Sequence, residues 1–126
     1  MNVPEDLLYT DEHEWIRQID DSKIRLGITD YAQDQLGDVV YVELSEVGKE
    51  VAKDDLVAEI ESTKSVGEVY APFPGAIAAV NDAVAASPEL VNSSPYDDGW
   101  LVEIAVAGDA GGDGLLDAAA YRNLTE

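Results

Sequence analysis

The chain has 126 residues, of which 46% are hydrophobic, and its 27 acidic against 7 basic residues give a net charge of −20. Such a charge argues against a nucleic acid or an anionic membrane as partner, since binding to phosphate groups requires basic side chains. The sequence contains no cysteine, which excludes disulfides and cysteine-based metal or redox sites. Any redox chemistry would therefore have to come from an attached group.

The acidic residues are spread along the whole sequence rather than gathered in a tail. Ordinary solubility is one interpretation. We favour a halophilic origin, because charge repulsion of this size is tolerable where salt screens it. The N-terminus has neither basic residues nor an apolar run, and no segment approaches the roughly 20 apolar residues of a membrane helix. We therefore expect a cytoplasmic protein with a single domain over residues 1–126.

The first half of the sequence predicts two strands and a short helix. Residues 13–19 and 23–27 alternate polar and apolar side chains, which is typical of a β-hairpin. The helix is expected near residues 29–37, because Thr29 is a favourable N-cap residue and Gly37 can end a helix.

The second half predicts further short strands. Residues 38–44 form the clearest one, and we expect Val40, Val42 and Leu44 on one face of it. The other segments are expected to be strands at 56–61, 66–70, 76–80 and 99–106, a long connection at 81–99, a glycine-rich link at 107–114 and a C-terminal helix at 118–124. Many short strands joined by turns indicate an all-β barrel or sandwich, here with two peripheral helices.

Lys64 lies between two of these predicted strands, at the tip of a hairpin. Its neighbours Thr63 and Ser65 are small, and the flanking strands would hold the tip rigidly. An exposed lysine on such a scaffold can be reached by large partners, which suits an attachment site. The alternative is an ordinary solvated lysine with no specific role.

The sequence around Lys64 resembles the attachment hairpin of lipoyl and biotinyl carrier domains, through the run from Glu61 to Lys64 and the later Tyr70-Ala71-Pro72. Further blocks occur in the order and spacing of the glycine cleavage system H proteins, at residues 9–15, 27–33, 36–44, 88–92 and 94–100. The similarity to that family therefore extends over nearly the whole chain. It implies a mainly β fold, a flattened barrel-sandwich hybrid of two antiparallel sheets, with the lysine hairpin at one edge.

The resemblance also implies a non-catalytic carrier. Lipoate would be joined by an amide to Lys64, within an attachment hairpin formed by Glu61, Ser62, Thr63 and Ser65. A pyridoxal-phosphate glycine decarboxylase would load an aminomethyl group onto this arm, and a folate-dependent aminomethyltransferase would remove it. Dihydrolipoyl dehydrogenase would then reoxidise the arm. A lipoate-attaching enzyme would be the fourth partner, and we expect the carrier to be a monomer.

Two glutamates match acidic positions of the family pattern and are candidates for docking the loaded arm. The loaded amine is cationic and can be lost to water, so a cleft that excludes water and offers carboxylates would protect it. Glu14, at the start of the first strand, and Glu68, four residues past Lys64, are the candidates. The alternative is that both are solvated acids like many others in the chain.

An independent enzyme is a weaker hypothesis. His13 is the only histidine, and with Glu12 and Glu14 beside it a general base is conceivable. No serine elbow, second histidine or phosphate loop accompanies it, so we interpret His13 as the start of an edge strand. Adjacent acids such as residues 54–55 and 97–98 lack the spaced pattern of a calcium loop, so no metal site is predicted.

Several other classes of protein with a similar lysine hairpin have to be distinguished from the H-protein family. Biotinyl domains usually place methionine on both sides of the lysine, whereas the only methionine here is Met1. Lipoyl modules of 2-oxoacid dehydrogenases share the hairpin, but they lack the helix block and the block at 94–100. An H-like protein that mainly donates lipoyl groups to other enzymes, and an interaction module whose lysine is never modified, stay open.

Overall fold

The computed structural model describes residues 2–106 and 115–125. Within these ranges it contains strands and four short helices, with most strands running to seven residues or fewer. In chain order they are β1 Leu8–Tyr9, β2 Glu14–Asp20, β3 Lys23–Ile28, α1 Asp30–Leu36, β4 Val39–Leu44, β5 Glu50–Val51, β6 Leu56–Ser62, β7 Val66–Tyr70, β8 Gly75–Val80, α2 Asp82–Ala86, α3 Leu90–Ser93, β9 Val102–Val106 and α4 Ala118–Thr125.

The strands form two antiparallel sheets. One has six strands in the order β1-β2-β3-β9-β8-β5, and the other has three in the order β4-β6-β7. Apolar side chains from both sheets make one buried cluster, which α1, α2 and α3 help to cover. These two sheets with short peripheral helices confirm the mainly β barrel-sandwich that the sequence predicted. Among the described helices, none is both long and apolar enough to cross a membrane.

Helix α1 begins and ends where the sequence predicted. The Thr29 hydroxyl accepts a hydrogen bond from the Ala32 backbone N–H at 3.1 Å, which satisfies one donor of the first turn. At the other end, Gly37 has φ of 83°, and its N–H donates to the Gln33 carbonyl at 3.0 Å. Because this backbone conformation disfavours a side chain, glycine ends the helix here.

Strand β4 differs from the prediction in which residues face the core. Val39 is buried, at 5% exposed, whereas Val40 is 55% exposed, so the expected grouping of Val40 with Val42 and Leu44 is wrong. The register against β6 shifts between Val39 and Tyr41. A β-bulge inserts one extra residue into a strand and reverses the side-chain alternation on one side of it. Val40 and Tyr41 are consequently both exposed.

The segment at 81–99 contains two short helices rather than an irregular connection. Asn81 caps α2, accepting from the Ala83 backbone N–H at 3.1 Å, and Val84 and Val91 are fully buried in the core. Strand β9 accordingly begins at Val102, later than predicted. The predicted C-terminal helix is confirmed as α4. The predicted glycine-rich link at 107–114 lies outside the described residues.

A second, smaller hydrophobic cluster covers one end of the six-stranded sheet. It contains Val3, Leu7, Tyr9, Trp15, Tyr96, Ala118 and Tyr121. The rings of Tyr9 and Tyr121 stack with centroids 4.7 Å apart, which joins α4 to β1. The Trp15 indole N–H donates to the Pro95 carbonyl at 2.8 Å. The cluster thus joins the N-terminal segment and α4 to the start of β2 and to residues 95–96.

Candidate functional site

The turn between β6 and β7 is held by the side chain of Ser62. Its hydroxyl accepts hydrogen bonds from the backbone N–H of Ser65, at 3.0 Å, and of Lys64, at 3.3 Å. The Ser62 N–H donates to the Ser65 carbonyl at 2.8 Å, and the Thr63 N–H donates to the Asp38 carbonyl at 3.0 Å. The tip therefore has a defined backbone, and it is tied to the residue that precedes β4.

Lys64 is exposed at this tip, and its stem lies against the end of α1. A Cβ atom added to Gly37 would come within 3.3 Å of Lys64 Cε. The positive φ favours glycine at position 37, and the absence of a side chain lets the lysine stem come close. Among the described residues, no carboxylate forms a salt bridge with Lys64 Nζ. The Lys64 side chain is open to solvent.

A cavity of about 180 Å³ begins beside this contact, between α1 and β7. Most of its lining is apolar, and its polar side chains come from the segment before β2, from α1 and from β7. The lining residues are Glu12, His13, Ile28, Tyr31, Ala32, Gln35, Leu36, Ile60, Gly67, Glu68 and Val69. Gly67 leaves room for Leu36, whose methyl groups would lie 3.2 Å from an added Cβ. A larger open depression of about 490 Å³ lies at the other ends of β4 and β6, away from Lys64.

The two glutamates predicted to dock the loaded arm lie in different positions relative to this cavity. Glu68 lines it, whereas Glu14 lies behind it and is only 2% exposed. The Glu14 carboxylate accepts from the Tyr70 backbone N–H at 2.6 Å and from the Thr10 hydroxyl at 3.1 Å. Burial raises the pKa of Glu14 to about 7, although these hydrogen bonds act to lower it. Glu14 thereby joins the start of β2 to the end of β7.

His13 is part of the cavity wall, which the sequence interpretation missed. It has φ of 67°, and its Nδ1 lies 2.8 Å from the hydroxyl of Tyr121 in α4. Its ring packs on Tyr31 with centroids 4.7 Å apart. Burial lowers the pKa of His13, which favours the neutral ring. It does not start an edge strand, because β2 lies between β1 and β3.

Glu12 and Tyr31 also line the cavity and were missed. Only indirect indications of their position were present in the sequence. Glu12 is next to His13, and Tyr31 belongs to the block at residues 27–33 that resembles the family. The contacts that bring them together depend on Tyr121, whose hydroxyl lies 2.7 Å from Thr29 Oγ1. That hydroxyl links α4 to the N-cap of α1 and to His13. Glu12 and His13 thus contribute polar side chains to the cavity wall.

Comparison with known proteins identifies this arrangement. The family model for the glycine cleavage H-protein matches residues 7–126. The chain belongs to the glycine cleavage H-protein family. Among its relatives, the glycine cleavage system H protein of Micrococcus luteus is 54% identical and covers 98% of both chains. That of Listeria monocytogenes is 48% identical over the full length of both.

The fold agrees with a solved structure of the same family. The crystal structure of a glycine cleavage system H protein from Mycobacterium marinum matches with a TM-score of 0.87 and 37% identity, over 98% of each chain. Its match supports the two-sheet architecture of this H-protein family member. The source organisms of these relatives give no support to a halophilic origin. Salt adaptation remains a prediction that rests on the acidic composition alone.

Proposed function

We propose that this family member is the lipoyl carrier of the glycine cleavage system, acting as a single cytoplasmic domain with lipoate joined by an amide to Lys64 Nζ. The observation that carries the proposal is an exposed lysine on a rigid hairpin, beside a cavity of about 180 Å³. When bound, the dithiolane would supply the redox and group-accepting chemistry that a cysteine-free chain lacks. The chain itself performs no catalysis in this proposal.

The residues of the site fit a lipoyl arm. Ser62 holds the tip backbone, so that the modified lysine would start from a fixed position. Gly37 leaves space for the stem, and its neighbour Leu36 lines the cavity. The apolar walls formed by Ile28, Leu36 and Val69 suit an aliphatic chain. The attachment hairpin is thus formed by Glu61, Ser62, Thr63 and Ser65 around Lys64.

Polar side chains in the cavity wall fit the cationic amine that the resemblance implies. Glu68 lines this cavity and is the first candidate for an ion pair with the amine. Glu14 is the second candidate, although its carboxylate already accepts from Tyr70 and Thr10. A carboxylate has about four acceptor sites, so Glu14 retains capacity for one further donor. We therefore expect a larger contribution from Glu68 than from Glu14.

Four enzymes would act on this carrier. They are glycine decarboxylase, the folate-dependent aminomethyltransferase, dihydrolipoyl dehydrogenase and the enzyme that attaches lipoate. The family match favours this role over a lipoyl module of a 2-oxoacid dehydrogenase. A role mainly as lipoyl donor would show as transfer of lipoate from Lys64 to other apoproteins without turnover of glycine.

The Lys64→Arg variant tests the function. It keeps the positive charge but cannot form the amide, so glycine cleavage should fall to background in a system reconstituted with the three other components. The melting temperature should stay within about 1 °C of the parent, because exposed residues contribute little to packing. Lys49→Arg is the matched control and should retain full activity. Activity of Lys64→Arg equal to the parent would contradict the function.

Formaldehyde release from the loaded carrier tests the cavity. The carrier is loaded, the decarboxylase is removed, and formaldehyde is timed. Glu68→Gln should accelerate release about tenfold, the loss expected when a charge-assisted hydrogen bond becomes neutral. Glu14→Gln should accelerate it less, and Glu89→Gln, outside the cavity, should not change it. Equal release rates in all four proteins would remove both carboxylates from the amine site.

A further inference from the structure

The outer face of the three-stranded sheet has no partner within the described part of the chain. The register of β4, β6 and β7 places two rows of side chains across it. The first row is Tyr41, Glu61 and Val66, and the second is Glu43, Glu59 and Glu68. The first row adjoins the Lys64 turn, since Glu61 and Val66 are the last paired residues before it.

Large apolar side chains are exposed at the Lys64 end of this face. Tyr41 is 49% and Val66 is 57% exposed, and the bulge in β4 exposes Val40 beside them. Exposed apolar residues that are scattered singly are common, whereas neighbouring ones mark interaction surfaces. Here they lie on the two edge strands of one small sheet, on both sides of Glu61.

Glutamates surround these apolar residues and determine which partner fits. Glu43 opposes Glu59, so that two like charges lie side by side on this face, and Glu68, which also lines the cavity, follows Glu59 in the row, on the edge strand β7. Such opposed pairs destabilise a sheet. In the salt bridges of the described residues, no lysine or arginine neutralises them. A partner surface with basic side chains would remove this repulsion, and the net charge of −20 would attract it over a distance.

We propose that this outer face docks the enzyme surface that receives the Lys64 arm, through an apolar patch on the enzyme ringed by lysine and arginine side chains. The inference rests on the proposed carrier function. Tyr41 and Val66 provide the desolvated centre of the interface, and Glu43 with Glu59 provides its charged rim. Aromatic residues at an interface centre contribute most of the binding energy, and rim charges mainly set the association rate.

The test uses the intact lipoylated protein with glycine decarboxylase, and CO₂ release from glycine is measured as the carrier concentration is varied. Tyr41→Ala and Val66→Ser should each raise the KM for the carrier by about tenfold, with kcat unchanged. Glu43→Lys should lower kcat/KM and weaken its dependence on salt. The matched controls are Ile19→Ala in β2 and Asp21→Lys in the turn between β2 and β3, which make the same kinds of change away from this face and should match the parent.

Each outcome decides the proposal. If the lipoylated parent supports no CO₂ release, the carrier function fails and the docking proposal fails with it. If the parent is active and Tyr41→Ala and Val66→Ser match it in KM, only the docking proposal is overturned. If sedimentation shows that the parent alone forms a dimer that Tyr41→Ala disperses, the occupant is a second copy and the proposal is also overturned.

Discussion

The two sheets differ in how their outward-facing charges are compensated. On the six-stranded sheet, Glu103 is largely buried and pairs with Arg25 at 2.7 Å and with Lys23 at 3.7 Å. The Arg25 guanidinium also lies 4.6 Å from the centre of the Trp100 ring. On the three-stranded sheet, by contrast, glutamates oppose one another and Tyr41 is exposed. Basic side chains of the protein itself thus compensate the glutamate of the first sheet, whereas the salt bridges of the described residues include none to Glu43 or Glu59 of the second.

The two sheets also differ in how tightly side chains pack against a glycine of each, and this difference gives the largest expected effect. A Cβ on Gly27 would lie 2.5 Å from Nε1 of the buried Trp15. Gly27→Ala should therefore lower the free energy of unfolding by about 3 kcal/mol, since the indole has no room to move. Gly67→Ala meets only the flexible methyl groups of Leu36 and should cost less than about 1 kcal/mol. Urea denaturation measures the free energy of unfolding of both variants, and equal losses would contradict this difference in packing between the two sheets.

Glu14 connects the sheets and should make stability depend on pH. Burial raises its pKa from 4.5 to about 7, so the folded state binds a proton more tightly than the unfolded state. The protonated group contributes stability that is fully present below pH 4.5 and is lost as pH rises through about 7. The expected loss is about 2 to 3 kcal/mol.

Glu14→Gln isolates that contribution from the other carboxylates. The variant cannot ionise, so its free energy of unfolding should gain about 2 to 3 kcal/mol relative to the parent between pH 4 and pH 8. Glu5→Gln, at an exposed site, is the control and should show a constant difference. A constant difference for Glu14→Gln as well would show that burial does not raise the pKa of Glu14 above its value in the unfolded chain.

The smallest expected effect concerns salt. Repulsion among 27 acidic residues should weaken the fold when screening is low, so the melting temperature should rise by several degrees between low salt and about 1 M potassium chloride. Glu43→Lys interrupts the row of opposed glutamates and should reduce this rise more than Asp21→Lys does. A melting temperature that does not change with salt would indicate that the acidic residues serve solubility rather than adaptation to salt.

Local signals in the sequence were sufficient for several features. Thr29 and Gly37 mark the ends of α1 through their own backbone and side-chain chemistry. The lysine hairpin was likewise predicted, because its first strand alternates, its second runs up to Pro72 and the turn between them is short. Features that depend on pairing between strands were not predicted. The bulge that exposes Val40 arises from the register of β4 against β6.

The rest of the site depends on contacts between distant parts of the chain. The hydrogen bond between His13 and Tyr121 spans 108 residues, and that between Glu14 and Tyr70 spans 56. The periodic pattern of apolar residues along a sequence does not indicate contacts between distant residues, so the position of His13 in the cavity wall could not be predicted. Helices α2 and α3 have five and four residues, too few for a helical period to show.

The most direct test of the central claim is the mass of the Lys64 peptide from protein isolated from its own cells. The account predicts one lipoyl group in amide linkage on Lys64, with Lys23, Lys49 and Lys53 unmodified. An unmodified Lys64 in cells that are cleaving glycine, or biotin in place of lipoate, would contradict it.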